Sequence, residues 1–423
     1  MRRATTPSGI DWIGNIPTDW TVKRLKFITT FAYGDALAAE ARSDGDVAVY
    51  GSNGIVGTHD RANTVGETLI IGRKGSYGKI NRSPVSAFAI DTTYFVDARF
   101  TSVHIDWLYH LLGCLGLDAF SKDSAVPGLA REDAYEKYCP APPITEQRQI
   151  ASYIDRETAR IDALTAKKRR LLELLEEKRL AVITHAVTKG LDPNAPMKHS
   201  GIDWLGQIPA HWNAIRLKHV AKVQSGIAKG ARDPLPPSIV VPYLRVANVQ
   251  DGFLDLDDIA EIEIRTEELD RYRLHPGDVL MNEGGDYDKL GRGTVWRGQI
   301  DPCIHQNHVF AVRCERIEPE WLDLITCSSY AKWHFILRSK QTPNLASISS
   351  TNVMELPVLV PPSEERASIR AAVQSELRHI DELAKKETRL VALLQEYRSA
   401  LITSAVTGKI DVRDAAERKE AAE

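Results

Sequence analysis

Residues 8–26, SGIDWIGNIPTDWTVKRLK, return at 200–218 as SGIDWLGQIPAHWNAIRLK, identical at twelve of nineteen positions and offset by 192. A longer pair follows: residues 142–192 return without a gap at 361–411, with twenty-two of fifty-one positions identical at an offset of 219. A chain that carries such repeats must build the same supersecondary unit twice. The change in offset places 27 extra residues in the second copy, between about 219 and 360, and that stretch shows no alignment with its counterpart at 27–141. Duplication and drift alone would blur all segments alike. Two segments that stayed alike around a middle that diverged point to one scaffold carrying two different binding surfaces.

The long constant blocks have heptad character. In the first, Ile154, Ile161, Leu175 and Val182 fall on one series, interrupted at Lys168, and Ile150, Leu164 and Leu171 on a second, interrupted at Glu157 and Lys178. The matching positions are Val373, Ile380, Leu394 and Leu401, then Ile369, Leu383 and Leu390, with interruptions at Glu376, Glu387 and Tyr397. Thr145 and Ser363, behind Pro142-Pro143 and Pro361-Pro362, are candidate N-caps, and Gly190 and Gly408 are candidate stops. Roughly 40 helical residues make a rod of about 60 Å. A long helix packed on a globular body would show the same pattern, but two matched rods favour pairing with each other. Lys168 and Glu387, charged at equivalent interior positions, are candidates for fixing register. Antiparallel rods would relate the halves by a pseudo-two-fold axis and act as a ruler between the variable parts.

The variable parts are α+β in flavour. In the first, 68–80 reads as strand, basic turn, strand, and 87–100 as a strand pair; a helix is expected near 104–121. In the second, 243–259, 275–285 and 305–313 are strand-like, with a helix near 319–337. The turn Arg73-Lys74-Gly75-Ser76-Tyr77-Gly78-Lys79 offers basic side chains and open backbone N–H groups around an aromatic ring, which suits a polyanion or an ordinary solvated hairpin. Arg245, Asn248, Gln250, Asn282, Lys289, Arg292, Gln306, Asn307 and Gln341 supply the Arg/Asn/Gln chemistry that reads base edges, and are also common surface residues. Residues 20–141 hold 13 Lys+Arg against 14 Asp+Glu, and 213–360 hold 17 against 20. Nucleic-acid binding would therefore need local patches or a basic partner.

Other classes fit poorly. Five cysteines (114, 139, 303, 314, 327) never stand in CxxC spacing, which argues against a disulfide framework or zinc ribbon. Cys303, His305 and His308 form CxHxxH, but on an alternating strand they would divide between two faces. Glu176-x-Lys178 resembles half of a nuclease motif, yet lies in the rod and lacks a Pro-Asp partner. The basic turn lacks the P-loop pattern, and there is no methylase tetrapeptide, GxGxxG or GxSxG elbow. No apolar run approaches a membrane span, and no apolar core follows the N-terminal arginines, so a soluble cytoplasmic chain is expected, itself not an enzyme.

These residues resemble the specificity (S) subunit of Type I restriction–modification systems. The resemblance covers nearly the whole chain and rests on SGIDWIGNIPTDW and SGIDWLGQIPAHW opening each half. PPITEQRQI and PPSEERASI open the rods; EKRLAVITHAVTKGLD and EYRSALITSAVTGKID close them. One departure is Ala367, where the family more often has Gln there or nearby. The resemblance implies an α+β chain in which two globular α/β target recognition domains alternate with two long helices paired as an antiparallel coiled coil. The expected division is domain one at 1–143, a central helix at 144–190, linker and domain two at 191–361, a C-terminal helix at 362–408 and a tail at 409–423. Each domain would read half of a split, asymmetric sequence in double-stranded DNA. The helices would set the spacer and dock two methyltransferase subunits for adenine N6 methylation. Two restriction–translocase subunits would add cleavage of unmodified DNA. S-adenosylmethionine, ATP and magnesium would belong to those partners and no cofactor to this chain.

Applied to residues, contacts to the first half-site are expected at Tyr50, Ser52, Asn53, Arg73, Lys74, Ser76, Tyr77 and Lys79. The second set is Arg245, Asn248, Asn282, Lys289, Arg292, Gln306, Asn307 and Gln341. Leu171, Leu175, Leu390 and Leu394 are expected to be partly core and partly subunit interface. Two other readings predict different behaviour. A two-headed adaptor for proteins would bind with little salt dependence, and a metal-dependent nuclease built on Cys303–His308 would carry stoichiometric metal.

Overall fold

The computed structural model describes residues 3–119, 128–228, 237–285, 290–342 and 345–413. The chain is mixed α/β and divides into two compact units, Met1–Arg169 with Arg389–Glu423 and Arg170–Thr388. Eight α-helices lie among the described residues: α1 (Ile105–Cys114), α2 (Arg131–Tyr135), α3 (Ile144–Lys189), α4 (Leu269–Tyr272), α5 (Pro319–Thr326), α6 (Ser329–Arg338), α7 (Ser350–Met354) and α8 (Ser363–Val406). None is long and apolar enough to cross a membrane.

The rods α3 and α8 each begin directly after a proline, so Thr145 and Ser363 lie within the first turn instead of capping it. Their ends fall where glycine permits the left-handed turn, Gly190 at φ +75° and Gly408 at φ +76°. The first heptad series is inside: Ile154, Ile161, Leu175, Val373, Ile380 and Leu401 are buried. In the second, Ile150 and Ile369 are buried as expected, but farther along α3 the buried line moves by one residue. Ala151, Thr158, Thr165, Ala186 and Ala405 are buried, whereas Leu164 and Leu383 are each 40% exposed. Apolar counting misses this seam because two of its members are threonines. The Thr158 hydroxyl satisfies itself by donating to the Ile154 carbonyl at 2.7 Å.

In each unit the two helix segments run in opposite directions. In the first, Ile150 and Ile154 share a core with Ala405 and Val406, and farther along Asp162 meets Arg398 at 2.9 Å. In the second, Lys178 meets Glu376 at 2.6 Å, and Gly190 closes on Glu365. Arg179 pairs with Asp381 there. By the offset of 219, Asp162 corresponds to Asp381 and Arg179 to Arg398, so the same ion pair occurs once in each unit with its partners exchanged between helices.

The variable parts, though unalignable, share one topology. The first has a four-stranded sheet in the order 32–33, 93–96, 68–72, 80–83, and a three-stranded sheet in the order 54–59, 47–51, 88–89. The second repeats both, as 221–225, 309–314, 278–282, 293–295 and as 260–265, 238–244, 304–305. In each three-stranded sheet the last pairing is parallel, Tyr50 opposite Ala89 and Leu244 opposite His305. The sheets approach at a glycine in both: a Cβ on Gly34 would overlap the Ile90 carbonyl oxygen, and one on Gly226 that of His305.

Local expectations fared unevenly. The hairpin around the basic turn is present, with Thr68 opposite Ser83. The strands 88–89 and 93–96 do not pair with each other but join different sheets. The single helix expected near 319–337 is two, because Ser328 interrupts it and its hydroxyl caps α6 by accepting from Ala331 N. Much of the extra length of the second part enters as a loop: residues 52–53 join the first pair of antiparallel strands, and 245–259 the second. The second part also has a three-stranded sheet of 284–285, 345–347 and 340–342, where the described residues of the first show an antiparallel bridge between Lys74 and Gly128.

The short lead-ins explain their own repetition. The Trp20 indole N–H donates to Glu146 in the first turn of α3 at 2.9 Å, and the Trp212 indole to Glu365 in the first turn of α8 at 3.1 Å. The glycine ending the opposite helix packs on each indole: Gly408 lies on Trp20 and Pro17, Gly190 on Trp212. A Cβ at Gly408 would sit 2.5 Å from Pro17 Cδ, whereas at Gly190 the nearest atoms are 3.3 Å away. Replacing glycine at a left-handed position costs about 1–2 kcal/mol before any clash. Both Gly190→Ala and Gly408→Ala are therefore expected to lower the thermal midpoint, Gly408→Ala by more, as differential scanning calorimetry would show.

Candidate nucleic-acid interface

In the first unit, the loops at 52–53 and 73–79 meet. Lys79 Nζ donates to the Asn53 carbonyl and side-chain oxygens, both at 2.8 Å, and Gly75 lies against Ser52. Arg73 is half-buried: Nη1 donates to the Asp91 carbonyl at 3.2 Å, and its guanidinium lies 5.0 Å from the Tyr33 ring. Lys74, Ser76 and Lys79 are exposed, Ser52 is partly so, and Tyr77 leans on the core. Tyr50 is buried at 7% exposure among Ile70 and Ala87, and is corrected to a core residue.

Two residues not anticipated from sequence complete this surface. Tyr33, half exposed, pairs with Tyr94 across the sheet, and Arg131 at the start of α2 places its guanidinium 5.0 Å from the same ring. Burial, and then Tyr33, push the Tyr94 hydroxyl up to about 12, so it stays protonated and donates to the Leu129 carbonyl at 3.1 Å. Nothing in the local sequence marks Tyr33 or Arg131, because sheet order brings them beside Arg73.

Charge pairing separates this face from its surroundings. Elsewhere in the unit Arg24 and Lys26 pair with Glu136, Arg82 with Glu67 and Asp106, and Arg99 with the buried Asp97. Among the described residues, Arg73, Lys74 and Lys79 have no carboxylate within ion-pairing distance. A domain with near-balanced charge thus carries a local excess of positive charge on one loop cluster.

The second unit is organised differently. Arg245 is neutralised by Asp258 at 2.9 Å. Asn248 is buried: Oδ1 accepts from Arg245 N, and Nδ2 donates to the Asp255 and Asp258 carbonyls. Asn282 is fully buried, with Nδ2 donating to the Val249 carbonyl at 2.9 Å. Both asparagines organise the 245–259 loop and are corrected from contact residues to structural ones. Arg292, Gln306 and Asn307 are half-buried at one end of the sheets, with His308 bound to Glu283 at 2.6 Å between them. Gln341 lies in the strand Lys340–Thr342, and Lys289 lies outside the described residues.

The CxHxxH residues diverge. Cys303 is buried, its thiol pushed up to about 12 by burial and then by Asp301, while buried His305 bonds the Val309 carbonyl and His308 is exposed. Among the described residues no three His, Cys, Asp or Glu side chains converge for a metal. Of the expected interface leucines, Leu175 is buried in the helix seam and Leu171, Leu390 and Leu394 are half-buried.

No family model matches the sequence. The curated relatives are all Type I restriction enzyme specificity subunits. The EcoKI specificity subunit of Escherichia coli (strain K12) is 24% identical over 66% of this chain, an alignment that spans only 59% of that subunit. The EcoBI specificity subunit of Escherichia coli is 22% identical, covering 83% of this chain and 75% of its own length. The MjaIX specificity subunit of Methanocaldococcus jannaschii is 22% identical, covering 95% and 96%. A chain solved in work on complex assembly and conformational transition of the type I R-M system shares the fold, with a TM-score of 0.67 at 16% identity over 93% of this chain and 99% of that one.

Because the two asparagines close a loop instead of facing outward, their loss will register as instability. Asn282→Ala strands the buried Val249 carbonyl, at a cost of about 1–3 kcal/mol, and Asn248→Ala removes the side chain that ties Arg245 N to the Asp255 and Asp258 carbonyls. Chemical denaturation of the variants is expected to show that loss in the second unit's transition.

Proposed function

We propose that this chain is the non-catalytic DNA-recognition subunit of a Type I restriction–modification complex, each variable domain reading one half of a bipartite target. The observation that carries the reading is the gathering of Arg73, Lys74 and Lys79 on adjoining loops with no carboxylate within ion-pairing distance among the described residues. Phosphates draw such a face to the duplex, and side chains on the same loops reach base edges. The shared topology of the variable parts gives the second domain an equivalent set of loops. Its cluster of Arg292, Gln306, Asn307, Glu283 and His308 is mixed in charge, so the two half-sites differ in sequence and phosphate contacts contribute less there.

The paired helices set the unread spacer between the half-sites. Two methyltransferase subunits dock on the helices, one per unit. Exposed leucines suit that role better than Leu175: Leu164 and Leu393 in the first unit, and their repeat-mates Leu383 and Leu174 in the second, are 40–49% exposed on otherwise polar helices. The methyltransferase brings S-adenosylmethionine for adenine N6 methylation. Restriction subunits, where present, bring ATP and magnesium chemistry, and the complex works in the cytoplasm.

Methylation mapping tests this directly. DNA from cells expressing the chain with its cognate methyltransferase is expected to carry a split N6-methyladenine motif absent without the chain, and exchanging residues 27–141 for a relative's domain should change one half alone. In vitro, Lys74→Ala and Lys79→Ala are expected to weaken DNA binding on every sequence alike, each lowering the salt slope by about one. Salt-independent binding would instead support the protein adaptor. Leu164→Asp with Leu393→Asp is expected to reduce the captured methyltransferase from two copies to about one, read by native mass spectrometry.

A further inference from the structure

We propose that Arg73 is the principal base-reading residue of the first variable domain and that it selects guanine. This rests on the DNA-recognition reading above. What distinguishes Arg73 from the neighbouring lysines is how thoroughly it is held. Its backbone is tied on both sides, Arg73 N donating to the Thr92 carbonyl and Leu129 N to the Arg73 carbonyl, each at 2.9 Å. Its guanidinium spends Nη1 on the Asp91 carbonyl and lies 5.0 Å from the Tyr33 ring and 5.9 Å from the Tyr94 ring. Tyr33 is braced in turn by the edge of Tyr94 at 5.1 Å and by Arg131 at 5.0 Å.

A phosphate contact needs charge and reach, which Lys74 and Lys79 already provide without an aromatic frame. Ordering a guanidinium beside two rings serves a target that demands direction. Its planar fork matches O6 and N7 of guanine in the major groove, and a side chain ordered beforehand loses little rotamer freedom on contact. Among the described residues the second domain has no counterpart frame: Ser225 stands where the repeat offset would place Tyr33, and Glu283 takes the place of Arg73 after the matching strand, its N–H on the His308 carbonyl and its carbonyl on Ile348 N. The Arg73 contact is thus specific to one half-site.

The test is the methylation map of the wild-type chain against Arg73→Gln and Arg73→Lys, each co-expressed with the methyltransferase. The wild-type motif is expected to hold a guanine in the half-site that changes on exchange of residues 27–141. Arg73→Gln is expected to relax that position, lowering preference for guanine by about ten- to hundred-fold. The other half-site, unchanged, reports that the variant is folded. A motif with no guanine in that half overturns the inference and leaves the DNA reading intact, as does a uniform fall in methylation with every base preference preserved. If Arg73→Gln abolishes methylation, Arg73→Lys decides: the charge remains and the fork is lost, so a retained guanine preference overturns the proposal and a relaxed one supports it. No chain-dependent motif with the wild type would overturn the DNA reading itself.

Discussion

The indole-to-carboxylate bond at the foot of each helix holds the architecture together. Trp20 with Glu146 and Trp212 with Glu365 join a lead-in to the first turn of one helix, while the glycine ending the other packs on the same indole. A carboxylate within the first turn also lies at the positive end of the helix dipole. Each junction thus fixes three chain segments distant in sequence by one buried ring. Remove the ring, and the glycine loses a packing partner and the lead-in its side-chain bond to the helix.

With the frame fixed in this way, the variable domains can differ in nearly every residue and keep their sheets. The second domain lengthens the connection between its antiparallel strands without changing strand order. The glycines at the sheet junction, Gly34 and Gly226, are what the shared topology requires of both. Charge follows the same division. Salt bridges neutralise several cations in the body of the first domain, while Arg73, Lys74 and Lys79 stay without a carboxylate on adjoining loops, where a ligand can use them.

Repeats and heptads made the helices and their stops legible, because both depend on local spacing and on glycine's freedom to turn. In the middle of α3 the seam lies one residue from the apolar series because Thr158 and Thr165 are buried there, the Thr158 hydroxyl bonding back to its own helix, which an apolar count cannot see. The basic turn was legible as a loop. Its frame was not, since Tyr33, Arg73 and Arg131 meet only through pairing of strands distant in sequence. Asn248 and Asn282 misled for the converse reason: the amide chemistry that reads a base also satisfies loop carbonyls, and only burial tells the two apart.

The order in which the segments are made has a consequence of its own. The second unit is one uninterrupted stretch, Arg170–Thr388, whereas the first joins Met1–Arg169 to Arg389–Glu423. On the ribosome, the first unit's strands emerge early, but the helix end that completes their core, with Ala405 and Val406, emerges more than two hundred residues later. At about 5–20 residues per second, that is a wait on the order of ten to forty seconds. The unit whose residues are contiguous can close first, leaving Trp20 and the apolar face around it open until the last helix arrives.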